Sequence, residues 1–208
     1  MDLNLFLTGL FIGFMVAVPV GPIGLLCINR ALTQGPGSGL ISGLGVAMAD
    51  ALAAGIAVFG LTLISNLLMA QEIWLRPLGG LFLCYLGVRT FIAIPKVEAR
   101  SEKESSLLSA CASTFFLTFT NPVTITSFVA VFAAFGIGGS SENALSAAML
   151  IAGVFAGSAL WWVILALGLR VLGPTFSSRG LQWVSRVSGA MIAGFGFVVL
   201  FDLWQTRF

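Results

Sequence analysis

Residues 5–33 read LFLTGLFIGFMVAVPVGPIGLLCINRALT, an apolar run with Pro19-Val20-Gly21-Pro22 at its middle. No charged residue falls between Asp2 and Arg30, so the run is long enough to cross a hydrocarbon layer of roughly 30 Å, which takes about 20 apolar residues. Each proline removes a backbone donor and clashes with the preceding turn, and the glycine between them lets the chain leave helical dihedrals. The run therefore reads as one crossing made of two half-helices. Broken backbone at bilayer depth is tolerated only where it lines a cavity or is packed in protein.

The whole chain supports that setting. Of its 208 residues 58% are hydrophobic, 9% are charged and none is histidine, whereas soluble domains carry about 25% charged residues. A mean hydropathy of +1.05 also excludes disorder, which needs low hydrophobicity and high charge. Without an imidazole the chain has no Ser-His-Asp triad, no HExxH metalloprotease motif and no two-His metal centre. A net charge of +2 is too mild for a clustered nucleic-acid face. Cys27, Cys84 and Cys111 lie within apolar stretches and read as buried free thiols. The expectation is a protein that is not an enzyme and holds no cofactor or metal.

Five further runs follow the first: Leu40 to Ser65, Trp74 to Ile94, Leu108 to Phe135, Ala144 to Leu172 and Leu181 to Trp204. Gly35-Pro36-Gly37-Ser38-Gly39 and Gly136 to Ser141 read as tight turns between them. The start of the chain, with Asp2 and no basic segment or small-residue cleavage site, does not read as a signal peptide. Arg30, Arg89, Lys96, Arg100, Lys103, Arg170, Arg179 and Arg186 fall on one side of the membrane, and Arg76 and Arg207 on the other. The first side is then cytoplasmic, and both termini lie outside.

The two halves correspond. Gly21-Pro22-Ile23-Gly24-Leu25 answers to Asn121-Pro122-Val123-Thr124-Ile125, Gly45-xxx-Ala49-Asp50 to Gly153-xxx-Gly157-Ser158, and Gly80 and Gly87 to Gly189 and Gly196. Three crossings per repeat is an odd number, so the second copy is inverted and the site lies near the midplane between the copies. The expected fold class is an all-α integral membrane protein of six transmembrane helices, two inverted three-helix repeats with helices 1 and 4 broken at Gly-Pro and Asn-Pro. Residues 1–95 form the first repeat, 96–106 a cytoplasmic linker and 107–208 the second repeat.

Asp50 lies about ten residues into the second run, roughly 15 Å deep at ~1.5 Å per residue. An intramembrane carboxylate is a functional candidate by default. No Lys or Arg is expected at its depth, since Arg30 and Arg89 fall near cytoplasmic ends, so Asp50 is protonated, hydrated or paired with an arriving cation. Each restarted half-helix, at Gly21-Pro22 and at Asn121-Pro122, offers unpaired N–H groups and a positive dipole end to an anion. Asn121 can also cap its half-helix. Ser158, Thr124 and Thr126 can line the same cavity, and Trp161 or Trp162 can wall it; the ordinary alternative is a hydroxyl bonded only to its own helix. A carboxylate for a cation and helix N-termini for an anion complement a zwitterion such as an amino acid. A lone acid at the midplane also suits proton coupling. Small residues at four-residue spacing, Gly9/Gly13, Gly39/Gly43, Gly45/Ala49 and Gly153/Gly157, read as helix-packing seams.

Pro19-Val20-Gly21-Pro22-Ile23-Gly24, the glycine-spaced run from Gly35 to Gly45 leading to Ala49-Asp50-Ala51, Leu86-Gly87 and Asn121-Pro122-Val123-Thr124-Ile125 make the whole chain resemble the LysE (lysine exporter) family of amino-acid exporters. Many relatives have Pro-Gly-Pro where Val20-Gly21-Pro22 stands here. The resemblance implies a bacterial inner-membrane exporter of amino acids, basic or small neutral, or of related metabolites, driven by proton antiport and dimeric. Two other readings stay open. A six-span thiol-disulfide electron carrier of the DsbD or CcdA type needs a cysteine beside each break, where Ile23 and Val123 stand. A cation or metal exporter would use Asp50 as a hard ligand.

Overall fold

The computed structural model describes residues 2–19, 21–68, 72–92, 106–137, 144–172 and 178–207. They form eight helices: α1 (Asp2–Ala17), α2 (Pro22–Thr33), α3 (Pro36–Leu68), α4 (Glu72–Ile92), α5 (Leu107–Phe119), α6 (Pro122–Ala134), α7 (Ala144–Leu172) and α8 (Ser178–Arg207). Among the described residues there is no strand. The helices fall on the six apolar runs, because the runs broken at Pro22 and at Pro122 each divide in two. Pro22 and Pro122 both occupy the first turn of their half-helix, where a missing N–H costs nothing. The chain bends by 81° between α1 and α2 and by 60° between α5 and α6. By length and composition, Pro36–Gly60 of α3 and Ala144–Val171 of α7 can each cross a membrane, and each bent pair passes the same test as one broken crossing. Gly80–Ile92 of α4 and Ile192–Gln205 of α8 are shorter apolar stretches.

One expected turn is a helix. Of Gly35 to Gly39 only Gly35, at φ +96°, leaves the right-handed region, and α3 begins at Pro36. Proline's fixed φ starts a helix well, and Gly39 lets its first turns press against Ala31 and the Cys27 carbonyl of α2. Gly136, at φ +66°, ends α6 as expected. Its N–H bonds the Ala133 carbonyl and the Ile137 N–H bonds that of Phe132, the paired closure of a Schellman motif. Most of the 96–106 linker lies outside the described residues. Its last residue, Ser106, caps α5 by accepting from the Ser109 N–H at 3.3 Å.

The glycine seams set how the helices pack. A Cβ on Gly9 or Gly13 of α1 would strike the backbone of Leu150 or Val154 of α7. Reciprocally, a Cβ on Gly153 or Gly157 would strike the Phe6 or Leu10 carbonyl. Gly45 brings α3 against the Cys111 carbonyl of α5, and Gly80, Gly87, Gly189 and Gly196 bring α4 and α8 together. Backbones without side chains between them approach closely enough for dispersion contacts to hold helices where lipid supplies no hydrophobic drive.

Two apolar clusters fill the interior. One gathers Cys27, Ile28, Ala47, Trp161, Trp162 and Leu165; the other gathers Ala53, Val58, Phe128, Phe132, Leu150 and Val154. Along α3 the first cluster holds Val46 and Ala47 and the second Ala53 to Val58, while along α7 the order is reversed. The two helices therefore run antiparallel, and the level between the clusters is occupied by Asp50 and Ser158.

Candidate functional site

Asp50 is 3% exposed and Ser158 is fully buried. Ser158 Oγ donates a 2.7 Å hydrogen bond to Asp50 Oδ2. Asp50 has no cationic partner among the described residues, and its Oδ1 is left for something else. It lines a cavity of about 600 Å³ to which all eight helices contribute. An uncompensated carboxylate in an apolar interior is costly, so its position at a cavity wall is the physically consistent one.

Both helix breaks reach the same cavity: Gly21 and Pro22 line it from one, Asn121 and Thr124 from the other. They differ in their free donors. At the start of α6 the Asn121 side chain accepts the Val123 N–H at 3.1 Å, and the Asn121 carbonyl accepts the Thr124 N–H at 3.0 Å. At the start of α2, Gly21 makes no side-chain cap. Of the two N-termini expected to attract an anion, the one at Asn121 is thus partly closed by its own cap, and the one at Gly21-Pro22 is open among the described residues.

Five of the residues singled out from sequence share the cavity wall: Asp50, Gly21, Pro22, Asn121 and Thr124. Ser158 lies behind Asp50 rather than in the wall. Pro122 starts α6. Thr126 bonds the Val123 carbonyl of its own helix at 3.1 Å. Of the two tryptophans weighed, Trp162 walls the cavity, its ring laid over Gly43. Cys27, Cys84 and Cys111 are free thiols.

Sequence reasoning did not single out Thr118, Ser127 or Arg89, which also line the cavity. Thr118 Oγ1 and Trp162 Nε1 are buried without a hydrogen-bond partner among the described residues. Buried polar atoms without partners are uncommon, and here both belong to the wall of the cavity that holds Asp50. Arg89, expected simply near the end of its span, joins the wall because Gly80, Cys84 and Gly87 commit one face of α4 to α8. At 3.6 residues per turn, Leu83, Leu86 and Thr90 then fall on a separate face toward the cavity, with Arg89 on its flank. The signal was present in the spacing of the glycines.

Arg30 also departs from expectation. It is 6% exposed, and its Nη1 donates to Ser42 Oγ of α3 at 3.3 Å, to the Ala110 carbonyl of α5 at 3.0 Å and to Ser113 Oγ at 3.0 Å. The half-helix restarted at Pro22 is anchored at its far end by these bonds.

Comparison with known proteins agrees with this construction. The chain is 24% identical to the putative amino acid efflux protein YcgF of Bacillus subtilis, with 94% of each chain covered. It is 27% identical to the threonine efflux protein of Escherichia coli K12, over 93% of this chain and 96% of that one. It is 26% identical to the putative amino-acid transporter YggA of Aeromonas salmonicida, over 90% and 91%. No solved structure matches it. Residues 14–203 match the family described as LysE type translocator, and with nearly the whole length covered, both helix breaks and Asp50 included, the chain belongs to that family.

Proposed function

We propose that the protein exports amino acids, basic or small neutral, or closely related metabolites across the bacterial inner membrane in exchange for protons. The observation that carries the reading is Asp50: a buried carboxylate whose Oδ1 has no partner among the described residues, at the wall of a cavity that both helix breaks enter. The carboxylate takes the ammonium end of the substrate, and the open α2 N-terminus at Gly21-Pro22 favours its carboxylate end. Protonation of Asp50 removes its attraction for the cationic group and so exchanges a proton for the substrate. Thr124, Asn121 and Pro122 shape the second side of the path, and Ser158 orients the acid. The efflux names carried by the relatives point the same way.

The reading includes six crossings arranged as two inverted repeats, residues 1–95 and 107–208. Its support is the reciprocal packing: α1 packs on α7 as α5 packs on α3, and α3 meets α7 at Asp50 and Ser158, the pair that the repeat aligns. Both termini then face the periplasm, the 96–106 linker faces the cytoplasm, and a homodimer is the assembly. The three cysteines do not pair under the repeat, which leaves the thiol-disulfide reading without a supporting feature. The test is counterflow of labelled amino acids in liposomes carrying the purified protein, with and without an imposed pH gradient. Counterflow together with acidification-driven accumulation is expected; transport indifferent to the pH gradient would remove the antiport reading.

A further inference from the structure

The cavity wall contains two charged residues among those described, Asp50 and Arg89, and the proposed path uses one of them. Asp50 stands near the middle of the 33-residue α3. Arg89 stands one helical turn before the end of α4 at Ile92, with Leu83 and Leu86 continuing the same wall inward. Arg89 is exposed and has no hydrogen-bond or ion-pair partner among the described residues. The acid therefore stands on the middle of its helix and the base near the end of its own, and the two opposite charges line one cavity.

The donors available to a substrate carboxylate can be ranked. At α6 the Val123 and Thr124 N–H groups are already bonded by Asn121. The α2 N-terminus is open, but a helix end carries about half an elementary charge. A guanidinium carries a full charge and a planar fork of donors that matches the two carboxylate oxygens. We infer that Arg89 recognises the substrate carboxylate together with the α2 N-terminus, so that the cavity selects molecules bearing both a free carboxylate and an ammonium group for Asp50. This inference rests on the amino-acid reading of the cavity and assigns its specificity.

The test uses purified protein in liposomes. From a panel of proteinogenic amino acids that includes L-threonine and L-lysine, the best counterflow substrate is compared with its own methyl ester as competitor. For lysine, 1,5-diaminopentane serves as the analogue with no carboxylate. Wild-type protein is expected to prefer the free acid by about 10- to 100-fold, the range that a hydrogen-bonded charge pair contributes. In Arg89→Gln the free acid is expected to weaken to the level of the ester while the ester is unchanged, and Arg89→Lys is expected to restore part of the preference. An unchanged preference in Arg89→Gln, or an equal loss for acid and ester, would overturn the assignment and leave amino-acid export standing. Wild-type protein that carries no member of the panel would overturn both.

Discussion

Ser158 Oγ donates to Asp50 Oδ2 at 2.7 Å across the antiparallel crossing of α3 and α7, at the level that separates the two apolar clusters. The bond holds one carboxylate oxygen of a residue that lines the cavity. Asp50→Asn keeps the size and the acceptor but removes the charge and the exchangeable proton, so transport driven by an imposed pH gradient is expected to vanish while the folded protein remains. Ser158→Ala removes a donor to an ionisable acceptor, an interaction of about 1.5–3 kcal/mol, and is expected to lower transport about tenfold without abolishing it. Initial rates in liposomes, normalised to incorporated protein, measure both. Full pH-driven transport by Asp50→Asn would contradict the role given to the acid.

The α1–α7 seam makes a stability prediction. Gly157→Ala places a methyl group against the Leu10 carbonyl, and Gly13→Ala places one against that of Val154. Rigid backbone cannot give way as a side-chain tip can, so each is expected to cost about 1–3 kcal/mol. Gly168, on the same helix α7, has open space at its Cβ position. Gly168→Ala is expected to leave the melting temperature in detergent unchanged or slightly raised, since alanine favours the helix. Equal melting temperatures for the Gly157 and Gly168 variants would show that the seam is not a close contact in the protein.

How much of this was legible follows the physics of each feature. Helix breaks are local events caused by Pro22 and Pro122, so both appeared in the sequence at the correct residues. Asp50 was conspicuous because lipid makes a charge costly, and Ser158 was reached through the correspondence of the halves. The wall residues Thr118 and Arg89 were not, since their meaning depends on which face of a helix a neighbour covers. Arg30 read as an end-of-span arginine because its three acceptors lie on α3 and α5, at 12, 80 and 83 residues' separation. The turn at Gly35 to Gly39 was misread for a related reason: composition marks glycine as a breaker, and packing of Gly39 against α2 made it part of a helix.

Arg30 itself carries a prediction. Replacing it by methionine keeps the aliphatic bulk but leaves Ser42 Oγ and Ser113 Oγ without the donor that joins α2 to α3 and α5. Loss of buried bonds to a charged group is expected to cost about 3 kcal/mol, seen as a lower melting temperature and less protein in the membrane fraction. A stable Arg30→Met variant with wild-type transport would mean that the anchor is dispensable.

The contrast between the two helix breaks can be tested by exchanging their caps. Gly21 has φ −84° and ψ −171°, an extended conformation open to any residue, and a Cβ there meets nothing within 4 Å. Gly21→Ser therefore fits without strain and supplies a side-chain oxygen to the first N–H groups of α2. A serine cap stabilises a helix by a few tenths of a kcal/mol over glycine, so the melting temperature should not fall. If the open N-terminus receives the substrate's negative end, occupying its donors from within should weaken transport several-fold despite the unharmed fold. Asn121→Ala makes the opposite change: it frees the Val123 N–H that the side chain now holds at 3.1 Å. The loss of that cap is expected to cost about 0.5–2 kcal/mol. Paired measurement of melting temperature and counterflow separates the two roles, because Gly21→Ser changes transport without stability, whereas Asn121→Ala changes stability first. Undiminished transport in Gly21→Ser would assign substrate recognition away from the α2 N-terminus.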